Sequence, residues 1–250
     1  MNRILLDPAE ISDPVLLTGA RALHIHGVLK PVLGDTIKIG VINGACGNAE
    51  VLATTPDAAQ LRILNLDETP PPPWCDLLLA LPRPRAVKRL WPQLACLGVG
   101  NIHLLNAAKV EKTYFASHVV DAEIYTPLLI DGLMQSGATA LPCVHIHSRL
   151  GDFFNDTLPG LITDNTLPLI AHPGPATPLG APGAPRPLLA VGPDGGWTHE
   201  ELARFLDAGF KPFSLGERPL RTDTACVALL ATLHYALSIF SHQPPAISHS

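Results

Sequence analysis

Charge is scarce in this chain, and basic charge scarcer than acidic: Asp, Glu, Lys and Arg make up 16% of its 250 residues, with a formal net charge of −5. That balance argues against a protein that coats nucleic acid through its overall charge, and leaves only a local basic patch for such a role. Hydrophobic residues reach 47%, so apolar surface is expected to be buried beyond one core, as at the interface of a homodimer. Paired cysteines are lacking too. Cys46, Cys75, Cys96, Cys143 and Cys226 are odd in number and contain no Cys-x-x-Cys, which fits a reducing cytoplasm. No apolar run is long enough for a bilayer. Residues 225–240 come nearest, but Thr232, His234 and Ser238 interrupt them, so they read as a buried packing helix and no membrane partner is expected. Asp7 and Glu10 follow the short N-terminal apolar run closely, and neither a signal nor a transit peptide is read there. Also missing is a Gly-x-Gly-x-x-Gly at the opening of the first β-α unit, where a nicotinamide enzyme needs one.

What is present divides the chain near its proline tract. Residues 1–68 read as short strands separated by turns, notably 36–42 after Gly34-Asp35 and 49–53 after the 43–47 turn. Pro70 to Pro73 form a stiff extended linker. Beyond it the pattern alternates: strands at 77–81 and 101–105 flank a helix at 86–97, and helices follow at 117–136 and 198–208. Further strands are expected at 144–147, 167–171, 188–191 and 212–215, which together describe an α/β fold with a mainly parallel sheet. Residues 173–187, dense in Pro, Gly and Ala, read as a surface loop.

The chemistry lies in the last third. Strand 188–191 runs into VGPDGGWT (191–198), and SLGERPLRTDT (214–224) leads into the final apolar helix. Gly192, Gly195, Gly196 and Gly216 carry amides that no side chain shields, so the backbone there can approach a ligand closely. Read alone, Gly-Pro-Asp-Gly is equally good tight-turn chemistry. In combination, VGPDGGWTHEEL, AGFKPFSLG and RPLRTDTA resemble the C-terminal motifs of the 16S rRNA (uracil(1498)-N(3))-methyltransferase family. The likeness extends in order through MNRILL (1–6), residues 24–30 before Gly34-Asp35, LALPRPR (79–85), Leu97-Gly98-Val99, VEKTY (110–114), and Gln135-Ser136-Gly137 before Leu141-Pro142, and so covers nearly the whole chain.

The resemblance implies a C-terminal knotted SPOUT-type methyltransferase domain over residues 74–245, with a parallel sheet and helices on both faces. Ahead of it, over residues 1–68, it implies a small PUA-like β-barrel that binds RNA. No sequence pattern would justify a knot by itself. The implied activity is S-adenosyl-L-methionine-dependent methylation of N3 of a uridine in 16S ribosomal RNA, in the small subunit or its precursor, by a cytoplasmic enzyme with no DNA partner. By similarity, His172, Leu189, Val191, Gly192, Gly195, Gly196, Leu215, Gly216, Leu220 and Thr222 bind the cofactor. Arg221 would stabilise negative charge on the uracil oxygens as N3 loses its proton; its alternative is an ion pair with Asp194 or Asp223. RNA contacts are implied for Lys30, the cluster Arg83, Arg85, Lys88 and Arg89, and for Lys109 and Lys112, the alternative for the cluster being a solvated helix face.

Several histidines invite a metal reading. His145 and His147 share a face of a strand, as do His24 and His26 if that segment is extended, but neither pair has a third ligand at recognisable spacing and no metal is expected. Thr198 fits a helix cap, with His199, Glu200 and Glu201 in an exposed first turn. Four positions depart from the family pattern. Asp194 and Asp223 replace glutamates, and Ala138 and Ala140 stand where basic residues are common, which leaves open methylation of another RNA position, or RNA binding without turnover.

Overall fold

The computed structural model of the protein describes residues 3–174 and 186–241. It separates into two units, one comprising the residues up to Pro73 with Thr126–Leu141, the other Trp74–Tyr125 with the chain from Pro142 onward.

The first unit is built on a five-stranded mixed sheet. β1 (Ile4–Leu6), β2 (Val15–Thr18), β3 (Thr36–Val41), β4 (Cys46–Thr54) and β5 (Ala58–Glu68) lie in the order β1-β3-β4-β5-β2, with β1 and β3 parallel and the other pairs antiparallel. Val15 and Leu17 are buried while Leu16 between them is exposed, the period-2 pattern of a strand with one face on a core. That core gathers Ile4, Leu6, Ile39, Val51 and Leu61. It also takes Ala22 and Ile25 from a helical stretch that the strand-only reading of this region did not contain: α1 (Gly19–His24), continued by a π turn over Ile25–Leu29. Ala22, Ile25 and Leu29 recur at helical spacing, and Lys30 ends the stretch in a left-handed conformation. His24 and His26 therefore do not share a face, since residues two apart on a helical path point to different sides. Gly47 in β4 admits no side chain, because a Cβ there would lie 1.9 Å from the Asn65 carbonyl oxygen.

The second unit contains a six-stranded, wholly parallel sheet. β6 (Cys75–Ala80), β7 (Val99–Leu105), β8 (Cys143–His147), β9 (Thr166–Ala171), β10 (Arg186–Val191) and β11 (Lys211–Phe213) lie in the order β11-β9-β10-β6-β7-β8. Beyond the paired Asp76 and Arg186 near their starts, β6 and β10 read as apolar runs, Leu77 to Ala80 and Leu188 to Val191, because both of their faces are covered. On one face Leu78, Leu105, Ile170, Leu188 and Ala190 meet Phe153, Phe154, Leu158 and Phe205. Those aromatic and aliphatic side chains come from the helical segment α4 (Leu150–Asp152), its π turn and α5 (Leu158–Leu161), and from α6 (His199–Asp207). On the other side α2 (Pro84–Cys96) and α7 (Thr222–Ser241) pack on each other and against β7 and β10. α2 is amphipathic by design of its sequence: Val87, Leu90, Trp91, Leu94 and Ala95 form its buried stripe, and Pro84 occupies its first turn, where no N–H is needed. α3 (Ala122–Ser136) begins in this unit, and its later residues belong to the first.

Two boundaries differ from the sequence reading in a way that shapes the site. β11 stops at Phe213, so Ser214 and Leu215 are loop rather than strand, and Arg186 and Pro187 are strand rather than loop. Most of the loop expected at 173–187 lies outside the described residues. No described helix is long and apolar enough to cross a membrane.

Candidate functional site

β9, β10 and β11 are sheet neighbours and end together, at Ala171, Val191 and Phe213. The loops that leave these carboxyl ends converge, which is where open parallel sheets place ligands. They enclose a cavity of about 300 Å3 lined by Ala171, His172 and Pro173, by Val191 to Trp197, and by Phe213 to Gly216 and Arg218 to Leu220, closed below by Thr222, Ala225 and Leu229 of α7. Of the sequence-derived cofactor residues, His172, Val191, Gly192, Gly195, Gly196, Leu215, Gly216, Leu220 and Thr222 are all brought to this cavity. Leu189 is not; it is fully buried in β10 and supports the site from the core.

The loops are fixed by hydrogen bonds that the motifs alone do not reveal. Ser214 Oγ donates to Gly174 O at 2.8 Å and accepts from Gly216 N at 3.0 Å, tying the first loop to the third. Thr222 Oγ1 lies 3.2 Å from Gly192 O and 3.1 Å from Asp194 Oδ1, joining the start of α7 to the second loop. Gly196 and Gly216 adopt φ of +67° and +123°, and a Cβ on either would meet open space, so these two glycines are required by backbone conformation. Gly192 is crowded instead: a Cβ there would lie 3.1 Å from the Trp197 indole nitrogen, so the indole would have to give by a few tenths of an ångström. Leu215 and Leu220 present apolar side chains that are 39% and 42% exposed beside these loops.

Charged groups ring the cavity. Arg83 reaches Asp194 at 3.3 Å and Arg89 reaches Asp223 at 2.9 Å. Partial burial works to raise the Asp223 pKa, but the Arg89 guanidinium and the Thr224 amide outweigh it and hold the carboxyl below its ordinary range. Because these two arginines occupy both aspartates, Arg221 makes neither of the ion pairs open to it in the sequence. Its exposed side chain has no hydrogen bond or ion pair among the described residues, and it adjoins the cavity between Leu220 and Thr222 without lining it. Arg85, Lys88 and Lys112 are exposed, as is Lys30 in the first unit. Lys109 is engaged: its ammonium donates to Gly195 O at 2.8 Å and lies 3.5 Å from Trp197 O.

The cap of α6 agrees with its sequence signature, Thr198 accepting from Glu201 N and Glu201 accepting from Thr198 N. Glu201 itself is not in an exposed turn as expected. It is 6% exposed, and its second oxygen accepts from Ala108 N at 2.7 Å. Residues given no role in the sequence are thus Ser214, Trp197 and Glu201. Their signals were the motifs SLGERPLRTDT and VGPDGGWT, which contain Ser214 and Trp197, and for Glu201 the Thr-x-x-Glu capping box.

His145 and His147 do share a face of β8, and His103 of β7 stands against both. His103 stacks on His145 with centroids 4.5 Å apart and shares a 3.0 Å hydrogen bond, Nδ1 to Nε2, with His147. The rings satisfy one another, and among the described residues no group of three or more His, Cys, Asp or Glu is arranged to hold a metal ion.

Comparison with known proteins bears on this geometry. The sequence profile of the RNA methyltransferase domain family matches residues 69–234. A ribosomal RNA small subunit methyltransferase E from Treponema pallidum is 31% identical over 257 residues, covering 94% of this chain and 92% of the relative. One of the same name from Borreliella burgdorferi, numbered 1, is 25% identical over 91% of this chain and 95% of its own. Among solved structures, a ribosomal RNA small subunit methyltransferase E from Neisseria gonorrhoeae bound to S-adenosyl methionine superposes with a TM-score of 0.71 at 22% identity, covering 94% of this chain and 97% of that one. A methyltransferase from Legionella pneumophila in complex with the same cofactor gives 0.70 at 22% identity, over 94% and 98% of the two chains. At that identity the two structures establish a shared α/β fold.

Proposed function

Because the chain belongs to the RNA methyltransferase domain family, and within it to the ribosomal RNA small subunit methyltransferase E proteins, we propose that it methylates N3 of a uridine in 16S ribosomal RNA with S-adenosyl-L-methionine as donor. The observation that carries this reading is the cavity at the ends of β9, β10 and β11. Its volume lies at the lower end of the range of about 300–1,000 Å3 usual for small-molecule sites. The fit to the cofactor rests on two features. Side chains are missing at Gly196 and Gly216, where a Cβ would point into open space, and Leu215 and Leu220 offer apolar surface beside the bare backbone. His172, Val191, Gly192, Gly195, Gly196, Leu215, Gly216, Leu220 and Thr222 would hold the cofactor, with Leu189 behind them. When bound, it supplies an electrophilic methyl group.

The chain's own part is positioning and charge. Uracil N3 carries a proton, and its lone pair is free to attack only once that proton has left. Arg221, exposed beside the cavity and unpaired among the described residues, would stabilise the negative charge that then spreads over the uracil oxygens. Arg83, Arg85, Lys88, Arg89, Lys112 and Lys30 would hold phosphates, which orient the substrate without reading its sequence. The PUA-like barrel over residues 1–68 and the knotted SPOUT-type domain over 74–245 belong to the same proposal. The mixed sheet with one buried face supports the first, and the passage of α7 beneath three converging loops supports the second. A homodimer is in keeping with Tyr235, 68% exposed on the apolar helix α7, and a cytoplasmic setting with five free cysteines.

Primer extension on small ribosomal subunits treated with protein and S-adenosyl-L-methionine tests the reading, because an N3-methyl group blocks the Watson-Crick edge and halts the polymerase. One new stop at a uridine is expected, and Arg221→Ala should slow its appearance by roughly 100-fold. No stop, or one explained by methylation elsewhere, would overturn the proposal.

A further inference from the structure

The loop that follows β7 is fastened to the glycine loop 192–197 by two separate devices. Glu201 bridges the first: one carboxylate oxygen accepts from Thr198 N at 2.8 Å, inside the cap of α6, and the other accepts from Ala108 N at 2.7 Å. Such a buried carboxylate is costly to leave unpaired, so the bridge holds the two segments in register. Lys109 supplies the second. Its stem passes so close to Gly195 that a Cβ on that glycine would lie 3.0 Å from Lys109 Cδ, and its ammonium lands on the Gly195 carbonyl. The peptide unit between Gly195 and Gly196 is then held at both ends, its C=O by Lys109 and its N–H by Pro193 O at 2.7 Å. That unit lines the proposed cofactor cavity.

We infer that Lys109 is a positioning residue for the cofactor loop, acting on the Gly195–Gly196 peptide, rather than a phosphate contact for RNA. Resting on the methyltransferase reading, the inference adds a division of labour within the basic segment that follows β7. Lys109 sets the shape of the cavity wall. Lys112, exposed three residues on and without a hydrogen bond or ion pair among the described residues, keeps its charge for RNA.

Lys109→Met keeps the stem and removes the ammonium, while Lys109→Arg restores a cation at similar reach. Calorimetric titration with S-adenosyl-L-methionine should show Lys109→Met binding roughly 5- to 10-fold more weakly, less than the full worth of a charge-assisted hydrogen bond because Lys109 is exposed and acts through the loop, with most of the affinity recovered in Lys109→Arg. The slope of RNA affinity against salt should match the unaltered protein, whereas Lys112→Met should lower that slope by about one. Equal cofactor affinity in Lys109→Met and the unaltered protein would overturn the inference, and a lowered salt slope in the same variant would return Lys109 to the RNA. Absence of cofactor uptake by the unaltered protein would instead count against the methyltransferase reading itself. Lys109 is exposed, so the melting temperature serves as a check that each variant folds.

Discussion

Acid should destabilise the parallel sheet through one buried imidazole. His103 is 3% exposed, and burial first, then repulsion from His145 and His147, lowers its pKa from the ordinary 6.5 to about 4. In the unfolded chain the same ring titrates near 6.5. Between those values the unfolded state binds a proton that the folded state refuses, so stability is complete above the upper value and drains away as pH falls toward the lower one. The size of the shift sets a ceiling of about 3 kcal/mol, and partial exposure of His145 and His147 brings the expected loss to about 2 kcal/mol. Urea unfolding at about pH 7 and about pH 4.5, on the unaltered protein and on His103→Gln, isolates the contribution. Glutamine keeps a hydrogen-bonding side chain but cannot titrate. Asp76 is common to both proteins; burial pushes its pKa up, but Arg186 and Asn101 prevail and hold it below the usual carboxylate range. His147, also lowered by burial and by His145, titrates in both as well. The unaltered protein should lose about 2 kcal/mol more than the variant across the interval. Equal losses would refute the assignment.

Two further substitutions probe the two units separately. Gly47→Ala places a methyl group 1.9 Å from the Asn65 carbonyl oxygen, 2.6 Å from its carbon and 3.0 Å from Leu66 Cα. Neither strand can yield without breaking its ladder, so denaturation should register a loss above about 3 kcal/mol, and ordinary stability would show that the β4–β5 pairing is wrong. Thr222→Val keeps the shape of the side chain but removes its bonds to Gly192 O and Asp194. A loss of about 1 kcal/mol is expected together with weaker uptake of S-adenosyl-L-methionine, and calorimetry showing unchanged uptake would detach α7 from the control of the second loop.

The centre of the parallel sheet was largely legible because its inner strands β6 and β10 are buried on both faces. Leu77 to Ala80 and Leu188 to Val191 are apolar without interruption, and α2 announces itself by the spacing of Val87, Leu90, Trp91 and Leu94. The glycine loops were legible through a motif. What escaped was decided by contacts distant in sequence. Thr139 Oγ1 donates to Gly44 O, and Leu141 N donates to Asn43 Oδ1, which draws the end of α3 and the residues after it onto the first unit with no local signal. The helical stretch 19–29 was hidden because the exposed apolar residues Leu23 and Val28 blur the helical spacing of Ala22, Ile25 and Leu29. Ser214 looked like strand because Phe213 precedes it, yet its hydroxyl is taken up by loop backbone. Likewise, the pairing of Asp194 and Asp223 with Arg83 and Arg89 depends on where α2 begins, and no spacing rule connects residues more than a hundred positions apart.

The cavity presents four glycines to whatever occupies it. Peptide groups are the one part of a protein that mutation cannot rewrite residue by residue, so the surroundings of such a wall can drift far while the surface it offers persists. A compound recognising those amides and carbonyls, and leaving the neighbouring leucines untouched, would meet a target with few routes to resistance.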